Sequence, residues 1–262
     1  MFPLISCALV LLAPLPAAGS PALQETPAAA LAGVDDLLAR LAGEAGPERT
    51  ELAKQLAGAL PPRRILEALP LLADTEPGVR VLAAELMARP DLGATARRER
   101  VEALARVASA DSDRRVIEAA VTALGRIGGP RAVAELGALT QDDMDSVAVA
   151  AAKALAGAAE GIGPLRELVR RSTATEGRPR STVLVELLPR YGQWLADEPA
   201  ATTGDHAPLV FSLRHPSREV RSAARRAFDR LISRLIDSAA PGRASQLLGE
   251  LGRIGIGRDV AL

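Results

Sequence analysis

The sequence predicts an all-α protein built as an open row of about six stacked helix hairpins, and three observations carry that expectation. Alanine and leucine dominate an apolar fraction of 48%, while Phe, Trp and Tyr together supply 2%. Helices favour alanine and leucine, whereas strands favour β-branched and aromatic residues. A single apolar template recurs along the chain, and glycine and proline fall together at the joints between its copies.

Each copy of the template opens with a polar loop, usually with Asp, followed by a Val anchor and then alanines or leucines at offsets 3, 4, 7, 8 and 11. These offsets share one stripe of an α-helix, the stripe that must be buried. The clearest copy runs from Asp111 to Val116 and continues through Ala119, Ala120, Ala123, Leu124 and Ile127. A second opens at Asp142 with its anchor at Val147, a third at Asp74 with Val79-Arg80, and a fourth at Val220-Arg221. Val183 marks a degenerate copy in which Pro189 is expected to interrupt the helix. An earlier copy uses Arg49, Ala53 and Leu56 and lacks the valine. Between these helices lie others with their own stripe, such as Ala132, Val133, Leu136 and Leu139 after Gly128-Gly129-Pro130. There the glycines stop one helix and the proline starts the next. One hairpin cannot hide its apolar face alone, so the core must come from stacking on its neighbours.

The run Ala123-Leu124-Gly125-Arg126-Ile127-Gly128-Gly129-Pro130, with Val79-Arg80 and Val220-Arg221, resembles the bacterial HEAT repeats, including the variant named after phycobilisome lyases. The resemblance extends over 33–255, most clearly over 70–160. It implies a right-handed α-solenoid and a scaffold or docking role, and it names no partner.

Residues 1–19 read as a signal peptide, with an apolar run from Leu4 to Leu15 leading into small residues and cleavage expected near Ala18. The expected location is therefore exported, periplasmic or extracellular. Cys7 is the only cysteine and lies in that segment, which leaves the mature chain without disulfide or thiolate chemistry. Residues 20–32 read as a flexible lead-in, 33–255 as the repeat array and 256–262 as a tail without a polar cap. Two stretches, Ser172 to Ser181 and Ala196 to Ala207, read as loops.

With 32 basic and 32 acidic residues, no global field draws the molecule to nucleic acid or to a membrane surface, and no later segment reads as a membrane span. His206 and His215 read as surface or capping residues, and Asp142, Asp143 and Asp145 as the loop and N-cap region of a helix. No Gly-x-Ser-x-Gly, P-loop or dinucleotide fingerprint appears, so neither catalysis nor a cofactor or metal is expected. The best candidate for binding is the helix from Arg218 to Asp237. There Arg218, Arg221 and Arg225, and again Arg226, Arg230 and Arg234, recur at helical spacing and are expected to form one basic face, either for an acidic protein, a polyanionic glycan or nucleic acid or as a solvated face tempered by Glu219, Asp229 and Asp237. Nucleic acid is disfavoured because no aromatics interleave these arginines. Tyr191 and Trp194 offer either an exposed contact pair or filling for the degenerate unit. The expected function is that of a non-catalytic, monomeric interaction module. The alternative is the accessory part of a larger exported enzyme.

Overall fold

In the computed structural model the described residues are 27–44, 46–158, 162–171, 180–198, 201 and 203–237, with isolated positions 242, 245, 248 and 249 beyond them. They form an all-α solenoid. Its first hairpin pairs α1 (Pro27–Gly43) with α2 (Pro47–Ala59). The second pairs a 3₁₀ segment, Pro62–Ala73, with α3 (Pro77–Met87). Four more follow: α4 (Arg97–Ala110) with α5 (Arg114–Ile127), α6 (Gly129–Leu139) with α7 (Asp145–Gly157), α8 (Ile162–Arg171) with α9 (Ser181–Asp197), and α10 (Thr203–Ser212) with α11 (Arg218–Asp237). The second helices α2, α3, α5, α7, α9 and α11 lie side by side in chain order and form one layer. The 3₁₀ segment, α4, α6, α8 and α10 do the same in the other, so the expected row of six hairpins is what the described residues build.

The repeated anchors explain this order. Val79, Val116, Val147, Val183 and Val220 all open second helices and are at most 2% exposed. The alanines that follow them, among them Ala83, Ala120, Ala151 and Ala224, are buried as well and let adjacent helices close in. A methyl placed on Gly125 would stand 3.1 Å from Ala154 Cβ across the α5–α7 seam. One on Gly192 would stand 2.8 Å from the Ala227 carbonyl oxygen across the α9–α11 seam. At the clearest joint α5 ends at Ile127, Gly128 turns with φ 61°, and Pro130 sits in the first turn of α6. That backbone conformation is one that glycine adopts without steric strain.

Several boundaries differ from the sequence expectation. Helix α1 begins at Pro27, inside the stretch read as a lead-in, because proline suits a first helical turn and the alanines after it favour helix. Helix α9 runs unbroken through Pro189, and α10 contains Pro208 and takes in Thr203 to Ala207, which were expected to be loop. In α9, burial of the stripe Val183, Leu184, Leu187, Leu188, Tyr191 and Leu195 outweighs the one backbone hydrogen bond that proline removes. The second hairpin departs the other way. Pro62 opens its first helix and Pro70 lies inside it, and the segment takes the tighter 3₁₀ form while still burying Ile65, Ala68 and Leu72. The expected signal segment and the tail 256–262 lie outside the described residues.

Candidate interaction surface

The outward face of the second-helix layer is grooved. Between α5 and α7 runs an open trough of about 720 Å³, lined on its floor by Gly125, Ala150, Ala154 and Gly157. Arg114, Glu118, Arg126 and Lys153 stand at its rims. Arg114 is held by Glu118 at 2.7 Å and Lys153 lies 3.8 Å from Glu186, while Arg126 makes no ion pair among the described residues. A smaller trough between α3 and α5 shares Glu118, Thr122 and Arg126, so Arg126 stands on the ridge between two grooves. A third, of about 740 Å³, lies between α9 and α11 and is lined by Gln193, Ala196, Asp229, Arg230, Ser233, Arg234 and Asp237. The small side chains that let the helices approach are thus also what leaves room for a visitor above the seam.

The six arginines of α11 are all exposed, but they do not form one basic face. Arg230 and Arg234 border the trough toward α9, and Arg234 pairs with Asp197 at 3.3 Å. At 100° per residue, Arg226, Arg230 and Arg234 lie about 140–180° around the helix from Arg221, whereas Arg218 and Arg225 lie within about 60° of it. Two flanks of three arginines result, separated by the buried stripe on one side and by solvent on the other. Spacing of three or four residues within each triplet is real, and the offset of nine places Arg221 and Arg230 on opposite sides of the helix, while Arg218 and Arg226, the nearest members of the two triplets, stand about 80° apart.

The aromatic pair falls to the packing alternative at Tyr191, which is 1% exposed and cannot present area to a partner. Its hydroxyl donates to the carbonyl oxygen of Asp205 and ties α9 to α10. Burial, with the Asp205 carboxylate nearby, pushes its phenol well above the ordinary range. Trp194 is half-buried, 5.6 Å from Tyr191 between ring centroids, and the guanidinium of Arg166 stacks over it at 4.6 Å. Arg166 in turn pairs with Asp205 at 2.6 Å, so α8, α9 and α10 meet in one bracket.

A second recurring device was only half visible as the Val-Arg motif. Arg80 donates from Nη1 to the carbonyls of Asp74 and Thr75, at 2.8 and 3.2 Å, and grips both carboxylate oxygens of Asp111 through Nε and Nη2, at 2.7 and 2.9 Å. Arg49 repeats the arrangement: Nη1 bonds the carbonyl of Glu44 and the Nε and Nη2 edge holds Asp74. Arg49 is therefore the counterpart of Arg80 and not of the valine anchor. Each arginine braces its own loop and reaches the next loop's aspartate. The hydrogen bonds and charge of Arg80 hold Asp111 below the ordinary carboxylate range. For Asp74 burial opposes ionisation, and the bonds from Arg49 and the Glu76 amide outweigh it, leaving its pKa lowered too. Asp113 caps α5 by accepting from the Arg115 side chain and amide, which lowers it to about 2. Asp142 closes the loop before α7 by accepting from the Met144 amide, and Asp145 opens that helix, in keeping with their expected loop and N-cap setting.

Arg100 gave no signal in the sequence. It is 1% exposed, donates to the carbonyls of Met87 and Gly93 at 2.5 and 2.8 Å, and has no acceptor for its Nε. A guanidinium so placed closes the carboxyl end of α3. Among the described residues no three His, Cys, Asp or Glu side chains gather as a metal-binding group, and no helix is long and apolar enough to cross a membrane.

Two layers of stacked hairpins with a grooved outer face define the class as a helical-repeat solenoid. Residues 65–156, from within the 3₁₀ segment through most of α7, match the family of HEAT repeats. Among solved structures it is similar to YibA of Escherichia coli, at 18% identity and a TM-score of 0.48, covering 83% of this chain and 81% of that one. It is also similar to human deoxyhypusine hydroxylase in complex with glycerol, at 15% identity and a TM-score of 0.39, covering 79% and 91%. A third likeness is to an engineered protein, at 22% identity and a TM-score of 0.35, covering 81% and 94%. No curated protein matches the sequence.

Proposed function

We propose that this chain is a non-catalytic interaction module that docks a protein partner along the outward face of its second-helix layer. The observation that supports this most is the pair of open troughs over the α5–α7 and α9–α11 seams, the first with a floor of glycine and alanine and both with charged rims. A floor of glycine and alanine admits side chains of a partner to the helix backbone. The rim of the α5–α7 trough, where Arg114, Arg126 and Lys153 stand against Glu118, favours an acidic segment. Rigid shape and charge complementarity suffice for such a role, without turnover. We also propose export of the mature chain, on the strength of the apolar run Leu4 to Leu15. N-terminal sequencing of the mature protein checks that part, with a new terminus near residue 19 expected.

The docking surface is tested by placing a photo-crosslinking amino acid at Thr122 or Ser233, which line the troughs, and at Ala134 on the exposed side of α6 as control. In the source cells the same partner is expected from Thr122 and Ser233 and not from Ala134. Capture of one species equally from all three positions, or of none from the troughs, would remove the reading.

A further inference from the structure

Arg221 repeats the bracing geometry of Arg49 and Arg80 in the sixth hairpin. Its Nη1 donates to the carbonyls of His215 and Pro216, at 2.7 and 2.6 Å, six and five residues earlier, the offsets that Arg80 uses for Asp74 and Thr75. The loop itself is copied as well. His215 Nδ1 accepts the amide of Ser217 as Asp74 Oδ1 accepts the amide of Glu76. In Arg49 and Arg80 the guanidinium fixed in this way presents its Nε and Nη2 edge to an aspartate of the following hairpin. Around Arg221 no described residue supplies that carboxylate, and Glu219 close by accepts from Ser217 Oγ at 2.7 Å. The side chain is exposed. Within about 60° of it around the helix stand Arg218, Arg225, Ile232 and Ile236, of which Ile236 is 59% exposed.

We propose that this outer flank of α11 receives an acidic loop of a partner protein. One aspartate or glutamate of that loop seats in the Nε and Nη2 fork of Arg221, and its apolar neighbours cover Ile236. The fork is already oriented by two carbonyls, so little side-chain freedom remains to be lost on binding, and Arg218 and Arg225 add a favourable field. The proposal extends the interaction-module reading to a second surface. Failure of the trough cross-links leaves it standing, because Arg221 lies about 180° around the helix from Arg230, which lines the trough.

The test uses the full chain with ¹⁵N-labelled arginine, titrated with an acetylated tetra-aspartate peptide and, as control, with tetra-asparagine. The Nε–H resonance of Arg221 is expected to shift saturably with the acidic peptide alone, and that of Arg80, whose fork is filled, to stay put. Arg221→Lys keeps the charge and loses the fork. It is expected to weaken the peptide about tenfold, while Arg225→Lys changes affinity less than about twofold. Equal weakening by the two lysine variants, or an Arg221 resonance that the peptide does not move, overturns the proposal. Should Arg221→Lys loosen α11, the titration of the unaltered chain still decides. A fork already occupied by another part of the chain or by a second copy would appear there as an unmoved resonance.

Discussion

Replacing Gly192 by alanine puts the packing account of this solenoid at risk in a single measurement. Gly192 lies inside α9, where it faces α11 across a seam without side-chain slack. The added Cβ would stand 2.8 Å from the carbonyl oxygen and 2.9 Å from the Cβ of Ala227. Comfortable contact begins near about 3.5 Å, so the overlap is roughly 0.6 Å. Neither Ala227 atom sits at the end of a flexible chain, and relief requires α9 and α11 to part. Overpacking of one methyl costs about 1–3 kcal/mol, against about 1 kcal/mol regained from alanine's helix propensity. The expected net change is a loss of up to about 2 kcal/mol. Gly33→Ala in α1 isolates the propensity part, because nothing lies within 4 Å of its new Cβ, and should stabilise by up to about 1 kcal/mol. Urea unfolding followed by far-UV circular dichroism compares the two, and the fluorescence of Trp194, the only tryptophan, reports α9 locally. A Gly192→Ala protein more resistant to urea than the wild type would refute the close-approach argument. In the double variant with Ala227→Gly the loss should shrink relative to the sum of the single changes, because one of the two close contacts is gone.

Other outcomes follow from the same contacts. Arg100→Ala leaves the Met87 and Gly93 carbonyls without their donor and opens space beside them, and should destabilise by about 2–4 kcal/mol in thermal or urea unfolding. Tyr191→Phe deletes one buried hydrogen bond to the Asp205 carbonyl, with a loss of about 1 kcal/mol and a detectable change in Trp194 fluorescence. Asp74, Asp111 and Asp113 have folded pKa values below 3.8, the value taken for a free aspartate. Their contribution is therefore complete above about pH 4 and is lost as the pH falls through the folded values, near about 2 for Asp113. Melting of Asp111→Asn should show lower stability than wild type at pH 6 and a shallower decline toward pH 3, and parallel curves would contradict the Arg80 pairing.

The elements that the sequence made legible are those carried by local periodicity. Val79, Val116, Val147, Val183 and Val220 announced themselves by spacing, and Gly128 with Pro130 marked the joint by their backbone restrictions. What escaped was set by tertiary context. Pro189 and Pro208 reside in helices because the buried stripe around them outweighs a local preference. Arg100 carries a surface residue's charge and sits in the core, and only the carbonyl groups waiting at the end of α3 explain it. In α11 the arginine spacing is local, while the spread of the six arginines around the helix depends on its full length. Tyr191 could have been placed inside from its offset of eight after Val183, which puts it on the buried stripe.

The arginine braces have a mechanical corollary. A bidentate grip tolerates little displacement, whereas a seam of alanine and leucine can slide with little change in the area hidden from water. Arg80 holds Asp111 through both carboxylate oxygens and Arg49 holds Asp74 through one, and these two braces join the first three hairpins. Ile117, Ala148 and Leu184 occupy the corresponding place after the next three anchors and make no such grip. The later seams are held by other means, among them the pairing of Arg166 with Asp205 and the close approach of Gly192 to Ala227, so the way neighbouring hairpins are joined changes along the row.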